Sequence, residues 1–374
     1  MDSNATHPDL ERKLRRILYE TGVAETNAAD LVPRGPHAAV DEYLDTNPEG
    51  NLPSTMRSHA ARLAHFSRWC SEYAEIDDLN ALDGPDLEAY KTHQTDLGYA
   101  PRTLESQLET LSVFLRFCRQ QDYVRSELPY LVPDVDVVAA DETRDRLLER
   151  DRAETIIGHL ATFRYASREH IVWLLVAEKG LRICTLLALD LQDYSPPTQN
   201  DEGYLELHNR PTTGTRLKNG DKSERQVTVP PAVCDTLDDY LQHQRVDATD
   251  EYGREPLLST ANGRIASPTI RTYINKWTAP CAFDGECPHG EIPAECRAAQ
   301  QTGNMECPSK RSPHDVRRGY ITHLRRYGVP KEIISDEVDA SVAVLDHHYD
   351  KTTKEEQRQM RTAAIDAVLS ASPE

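Results

Sequence analysis

The chain is predicted to be mainly α-helical, in two units, with a small β-hairpin inside the second. Three observations predict this. Apolar residues recur at helical spacing through most of residues 54–191, an aperiodic proline-containing tract interrupts them at 129–146, and two-residue alternation is confined to 204–208 and 226–229. A length of 374 residues with 38% hydrophobic content suits two modest cores rather than one large one. The expected organisation is an acidic N-terminal extension at 1–51, a helical bundle at 52–128, a linker at 129–146 and a second domain at 147–374 carrying a cysteine-rich insert at 281–307. No run of eighteen apolar residues occurs and the first residues are neither basic nor apolar, so the expected setting is cytoplasmic, with no membrane.

Residues 1–51 are polar, with one short helical pattern from Leu10 to Tyr19. The first strong helix is expected to begin at Ser54, a favourable N-cap, and places Met56, Ala60, Leu63, Phe66 and Cys70 on one face. Arg57 and Arg68 fall on the other. A shorter helix runs from Pro85 to Leu97 and is closed by Gly98; a long one follows Pro101, with Leu104, Leu108, Leu111, Leu115 and Cys118 in register. The second domain opens with helical patterns at Glu149–Phe163 and Ser167–Lys179, the latter ended by Gly180, and a third carrying Ile183, Leu186, Leu187, Leu189 and Leu191. Then Tyr204–His208 and Gln226–Val229 alternate on either side of Lys218-Asn219-Gly220-Asp221-Lys222, the pattern of a hairpin with Asn-Gly at its turn. The final stretch, Thr353–Ser370, is helical by pattern, and its apolar stripe could serve a neighbouring subunit or its own domain.

The net charge of −19 argues at first against a nucleic-acid partner, because a DNA binder neutralises phosphates with Lys and Arg. Acid excess also accompanies adaptation to high salt, which is the favoured explanation here. Against that background Lys310–Arg326 carries six cations (Lys310, Arg311, Arg317, Arg318, Arg325 and Arg326) and one acid, Asp315: a local basic island. Candidate DNA-contacting cations are Arg57, Arg68, Arg102, Lys310, Arg311 and Arg318.

Breaking a phosphodiester without a metal requires a nucleophile, cations on the non-bridging oxygens and an acid for the leaving oxygen. In Ser312-Pro-His314-Asp-Val-Arg317, Ser312 caps a helix, Pro313 fills its first turn, and His314 and Arg317 share a face. A guanidinium forks onto two oxygens and an imidazole passes a proton near neutral pH.

With these residues the chain resembles the tyrosine recombinase (integrase) family. Glu178-Lys-Gly-Leu-Arg182 followed by a Leu-rich helix looks like its first arginine box. Leu217-Lys218-Asn-Gly is similar to its β-turn lysine segment, His314-x-x-Arg317 matches its second arginine box, and Val344-Leu-Asp-His-His-Tyr349 fits its nucleophile segment. The resemblance spans nearly 300 residues. It implies a helical, SAM-like core-binding bundle followed by an α+β catalytic domain, with Tyr349 attacking the phosphate to leave a 3′-phosphotyrosine. Arg182 and Arg317 would clamp it, Lys218 would protonate the leaving 5′ oxygen and His314 would assist proton transfer. No catalytic cofactor is implied; the implied partner is double-stranded DNA, engaged as a homotetramer on two duplexes. Relaxation in the manner of a type IB topoisomerase and a DNA-binding relative without activity are the alternatives. One departure stands out: about nine residues before its tyrosine the family has Leu-Gly-His, but Asp336–Val342 contains no histidine. His348 is a candidate substitute, His347 a weaker one, with surface positions as the competing reading.

Four of the eight cysteines (Cys281, Cys287, Cys296 and Cys307) and His289 cluster just before the His314 helix in a segment with little apolar content. A structural Zn²⁺ on these thiolates, with His289 able to replace one, would supply folding energy; free thiols in a loop are the alternative.

Overall fold

A computed structural model describes residues 31–136, 146–283, 286–301 and 305–349, together with Glu355, Arg358 and Thr362; for residues 347–349 only the backbone is described. The Leu10–Tyr19 pattern and, apart from those three positions, the Thr353–Ser370 tail lie outside the described residues. The chain divides between residues 144 and 145 into two compact units.

The first unit is a bundle of α1 (Pro36–Thr46), α2 (Pro53–Glu72), α3 (Gly84–Asp96) and α4 (Pro101–Gln120), each with proline in its first turn. Asp83 and Asp86 close α3 with a reciprocal capping box. Leu104, Leu108, Leu111, Leu115 and Cys118 are all buried, as the period of α4 requires. The centre is aromatic: Tyr43 meets Phe114 edge-on with centroids 5.7 Å apart, and Phe66 meets Tyr90 at 5.4 Å. Three expectations are corrected. Residues 36–46, assigned to the extension, form α1 and bury Ala39, Val40 and Tyr43, whose hydroxyl bonds His59 Nδ1 at 2.8 Å. So few apolar positions among acidic ones gave no clear period. Ser54 is not a cap, because Leu52 holds that position and Pro53 begins the helix. Pro129 and Val132, placed in the linker, are buried in the bundle, with a 3₁₀ turn at Leu128–Tyr130 whose Pro129 carbonyl accepts from Ser112 Oγ.

The second unit is built on α6 (Arg168–Ala177), whose residues from His170 onward are all buried; Ser167 caps it by accepting from the His170 N–H. Around it pack α5 (Arg150–Phe163), α8 (Pro231–His243), α9 (Ser267–Trp277) and α11 (Pro313–Arg326). The helix after Gly180, α7, is short (Ile183–Ala188), and Leu191 already belongs to a 3₁₀ turn. An antiparallel sheet in the order β1 (Tyr194–Ser195), β2 (Tyr204–Leu207), β3 (Arg225–Thr228) follows, with Tyr204 opposite Thr228 and Leu207 opposite Arg225. The hairpin is therefore present, but Asn219-Gly220 is not its two-residue turn. It lies late in the connection 208–224, where Gly220, at φ +65°, opens a 3₁₀ turn to Ser223. A two-stranded ribbon, β4 (Ser259–Thr260) with β5 (Gly263–Arg264), and a short α10 (Arg297–Gln300) precede α11. The unit continues with α12 (Lys331–Val338) and α13 (Val342–Tyr349).

Two features hold these elements in place. Arg264 bridges Asp190 at 2.5 Å and Asp250 at 2.7 Å, while Arg210 pairs with Asp193 at 2.5 Å, tying the sheet connections to the end of α7. Gly319, in the middle of α11, lets the backbone of Leu148 lie against the helix: a Cβ there would stand 1.9 Å from the Leu148 carbonyl oxygen. The Leu148 N–H donates to the Asp315 carbonyl at 3.0 Å.

Gly319→Ala sets the helix-propensity gain of alanine, about 1 kcal/mol, against an overpacking cost of about 1–3 kcal/mol. A contact as short as this makes the cost win, so denaturant unfolding should show a net loss on the order of 1–2 kcal/mol. Equal or higher stability would refute the close approach. Burial raises the Asp250 pKa, but the side chain of Arg264, the N–H groups of Arg254 and Tyr252 and the charge of Arg254 outweigh it and hold the carboxyl at about 2. Its contribution, on the order of 2 kcal/mol, is therefore present above the ordinary aspartate value and lost as pH falls towards about 2. Unfolding at pH 6 and pH 3 should lose more stability in the parent than in Asp250→Asn; equal losses would contradict the assignment.

Candidate active site

The site is built where α6, α7, α11 and α12 come together. Gly180, at φ +61°, ends the turn after α6, and a Cβ there would meet Tyr320 Cδ1 at 2.6 Å, so glycine is needed for both conformation and space. Two residues later Arg182 stands at the N-cap of α7. Ser312 and Asp315 form the capping box of α11 with Pro313 in its first turn, which sets His314 and Arg317 one turn apart on the same face.

The two arginines reach the same stretch of chain. Arg317, 3% exposed, donates through Nη1 to the Gly180 carbonyl at 2.6 Å and through Nη2 to the Val338 carbonyl at 2.5 Å. Arg182 donates through Nη1 to Asp339 Oδ2 at 2.5 Å and through Nη2 to the Asp339 carbonyl. Lys218 is exposed in the 208–224 connection, and its neighbour Asn219 donates from Nδ2 to Asp339 Oδ1 at 3.0 Å. His314 keeps an exposed surface. The atoms packed around it, and then the guanidiniums of Arg318, Arg317 and Arg182, disfavour its protonated form, so its pKa lies below the usual histidine value. Arg182, Arg317, His314 and the Lys218 connection are thus brought together. Tyr349 is the last residue of α13, which packs on α11 and α12 and buries Leu345 against Ile321, Ile334 and Val338. The side chains of Tyr349, His348 and His347 lie outside the described residues.

Several participants were not anticipated. Ser223 Oγ donates to Asp339 Oδ2 at 2.7 Å, Arg225 Nε donates to the Glu337 carbonyl at 3.1 Å, and Lys179 pairs with the Glu337 carboxylate at 2.5 Å. The only sequence signal was negative, the missing histidine in 336–342. That Asp339 adopts φ +53°, a left-handed conformation that favours glycine, is visible only in three dimensions.

The basic island is corrected. Lys310 is 1% exposed and donates to the carbonyls of Ala298 at 2.6 Å and Gln301 at 3.1 Å, so its ammonium is not offered to DNA. Arg311 donates to the carbonyls of Leu147 at 3.0 Å and Pro308 at 2.7 Å, Arg318 and Arg325 are buried, and the exposed Arg326 pairs with Glu149. Loop carbonyls, which a composition count ignores, take up this charge. In the first unit Arg57 and Arg68 are exposed, and Arg102 is exposed beside Glu105.

The cysteines of the insert are all free and partly buried. Burial, and then the neighbouring thiols of Cys287, Cys307 and Cys296, push the Cys281 thiol up, which puts those three within electrostatic reach of Cys281. Among the described residues, however, no three His, Cys, Asp or Glu side chains stand as a metal-ligand set. His289 Nε2 lies 2.8 Å from Ser309 Oγ.

A mainly helical unit with a small sheet and two arginines meeting beside a His-x-x-Arg helix has the form of a DNA integrase catalytic domain. No family model matches the chain. Among curated proteins it is similar to tyrosine recombinase XerA of Thermococcus kodakarensis, 23% identical over 337 residues covering 88% of this chain and 96% of the relative. It is likewise similar to tyrosine recombinase XerC of Myxococcus xanthus, 22% identical over 329 residues covering 84% and 93%. Among solved structures it resembles the Tn1549 transposon integrase in complex with transposon right end DNA (TM-score 0.59, 13% identity, 88% of this chain and 100% of the other). It also resembles XerH bound to palindromic difH substrate in a post-cleavage complex (TM-score 0.58, 14% identity, 97% and 91%). A lambda integrase dimer bound to a core site has the same fold (TM-score 0.55, 14% identity, 86% and 100%). The chain has the tyrosine recombinase (integrase) fold and is similar in sequence to tyrosine recombinases over most of its length.

NMR titration should find the His314 imidazole below the usual histidine pKa, and Arg318→Ala should move it upward, because a repelling cation has gone. An unchanged or lower value would contradict the electrostatics of the site.

Proposed function

We propose that the chain is a site-specific DNA recombinase that cuts and rejoins DNA by transesterification. The Tyr349 hydroxyl attacks the scissile phosphorus; the O–P bond to tyrosine forms as the bond to the 5′ oxygen breaks. Arg182 and Arg317 hold the non-bridging oxygens, Lys218 gives its proton to the leaving 5′ oxygen, and His314, kept neutral near pH 7, assists removal of the phenolic proton. The 3′-phosphotyrosine retains the phosphodiester energy, so a 5′ hydroxyl from a second duplex can reverse the attack without a nucleotide cofactor. The working assembly is four protomers on two duplexes, with Arg57, Arg68 and Arg102 of the first unit as phosphate contacts. His348 stands as a candidate further phosphate ligand. The observation that carries this reading is the convergence of Arg182, Arg317 and the Lys218 connection on residues 338–339, eleven and ten residues before the tyrosine at the end of α13.

Catalysis so assigned uses no metal. For Cys281, Cys287, Cys296 and Cys307 the proposed role is a structural Zn²⁺ site, with His289 as an alternative ligand. Two facts support it. Cys287-Pro and Cys307-Pro each begin a turn closed by the N–H three residues on, from Gly290 at 3.2 Å and Lys310 at 3.1 Å. The buried Lys310 ammonium lies within electrostatic reach of three of the thiols, where it would offset the negative charge of a zinc tetrathiolate.

On a nicked duplex that traps the covalent complex, Tyr349→Phe should form no adduct while retaining DNA binding. Lys218→Ala should be slow on ordinary DNA and recover on a substrate whose leaving oxygen is sulfur, since a thiolate departs without a proton. Adduct formation by the Phe variant, or no recovery of the Ala variant, would remove the corresponding role. Elemental analysis of protein purified without a metal column should find one zinc per chain, and chelation should lower Tm; metal-free protein of unchanged Tm would exclude the site.

A further inference from the structure

The phosphate clamp lacks the family's histidine, yet the place where it should act is not empty of donors. Asp339 presents its carboxylate to Arg182 Nη1 and Ser223 Oγ through Oδ2 and to Asn219 Nδ2 through Oδ1. Three donors from two separate segments therefore point at one anion. The Asn219 amide is exposed and free of other duties in the turn, while the Ser223 hydroxyl also accepts from the Asn219 N–H at 3.1 Å, so the two donors are held in register in a 3₁₀ turn that Glu224 N–H closes onto the Asp221 carbonyl at 3.1 Å. A carboxylate and a phosphodiester are both monoanions that show a pair of oxygens to a guanidinium, so donors that satisfy one satisfy the other. Asp339 also holds a left-handed φ of +53° without being glycine, a cost its contacts must offset.

We propose that the Asp339 carboxylate occupies the seat of the scissile phosphate, and that Asn219 and Ser223, which hold it together with Arg182, are ligands of that phosphate in place of the missing histidine. This rests on the transesterification assigned to Tyr349. DNA binding then exchanges one monoanion for another at the same donors. The arginine stays paired in both states, and no guanidinium is left buried without an anion. Asp339 stands three positions before the first residue of α13, so the exchange takes place at the lead-in to the helix that ends at Tyr349, while the backbone there stays held by Arg317 at the Val338 carbonyl. The free enzyme is thereby held in check by its own side chain until a phosphate of sufficient affinity arrives, a population shift set by the difference between two anions.

The test has two arms, both on the full chain. In the first, without DNA, inorganic phosphate is titrated while Tm is followed. Asp339→Asn, with its seat vacated by charge, should be stabilised by millimolar phosphate, since a ligand that binds only the folded state raises Tm by mass action. The parent should respond at least about tenfold more weakly, and Asp339→Asn combined with N219A and S223A should lose the response. In the second arm, N219A/S223A, at a temperature well below its own Tm, should form the covalent adduct on the order of 10²-fold more slowly at saturating DNA, because donors to developing oxyanion charge are missing. Ser223→Thr, which keeps the hydroxyl, should restore part of the rate in the Ser223 single variant series. An Asp339→Asn chain indifferent to phosphate, a response that survives N219A/S223A, or an adduct rate equal to the parent's would each overturn the proposal. Absence of any adduct from the parent chain would instead sink the transesterification reading, and the phosphate arm would then show separately whether the anion seat exists.

Discussion

Residues 337–339 accept more of the site's cations than any other segment described here, and the geometry of the rest follows from that. Arg317 reaches the Val338 carbonyl, Arg182 the carbonyl and carboxylate of Asp339, Arg225 the Glu337 carbonyl and Lys179 its carboxylate. Buried guanidiniums are tolerated only where acceptors meet them, because removing one partner strands a charge at a cost of several kcal/mol. The segment therefore cannot shift alone. It connects α12 to α13, so the start of the helix that ends at Tyr349 is located by the same cations that are assigned to the phosphate. Nucleophile and clamp share one anchor.

The acid excess of the chain acquires a structural meaning beside this anchor. With a net charge of −19, diffuse attraction to DNA is weak, and recognition must come from locally arranged donors. Lys310 and Arg311 do not supply it, being spent on carbonyls within the second unit: Lys310 on Ala298 and Gln301, Arg311 on Leu147 and Pro308. They brace the approach to α11. Arg57 and Arg68 of the first unit are exposed and are the cations proposed for the phosphate backbone. Affinity and chemistry are thus assigned to different cations.

What could be read from the chain follows a physical division. Long amphipathic helices with capped ends, such as α4 after Pro101 and α11 after Ser312, are legible because burial period and capping act locally. The tyrosine recombinase likeness rests on such segments, on the Gly180-Leu-Arg182 turn and on the alternation of β2 and β3. Helix α1 gives no clear period because its four buried residues stand among acids, and its burial depends on partners in α2 and α4. The Asn219-Gly220 pair signalled a tight hairpin turn by its chemistry, but the strands it seemed to join pair farther apart. Burial of Lys310 and the convergence on Asp339 are long-range events, joining residues 12 and 157 positions apart, and no local pattern encodes them.

The central claim is that the chain forms a phosphotyrosine bond to DNA from the end of α13. The measurement that tests it most directly is proteolysis of a trapped covalent complex followed by mass spectrometry of the nucleotide-bearing peptide. The account predicts a nucleotide phosphate on Tyr349 and on no other residue. A nucleotide on Tyr320, within the arginine helix, or on Tyr327, at its C-terminal cap, would contradict it, as would a parent chain that binds DNA and never becomes attached.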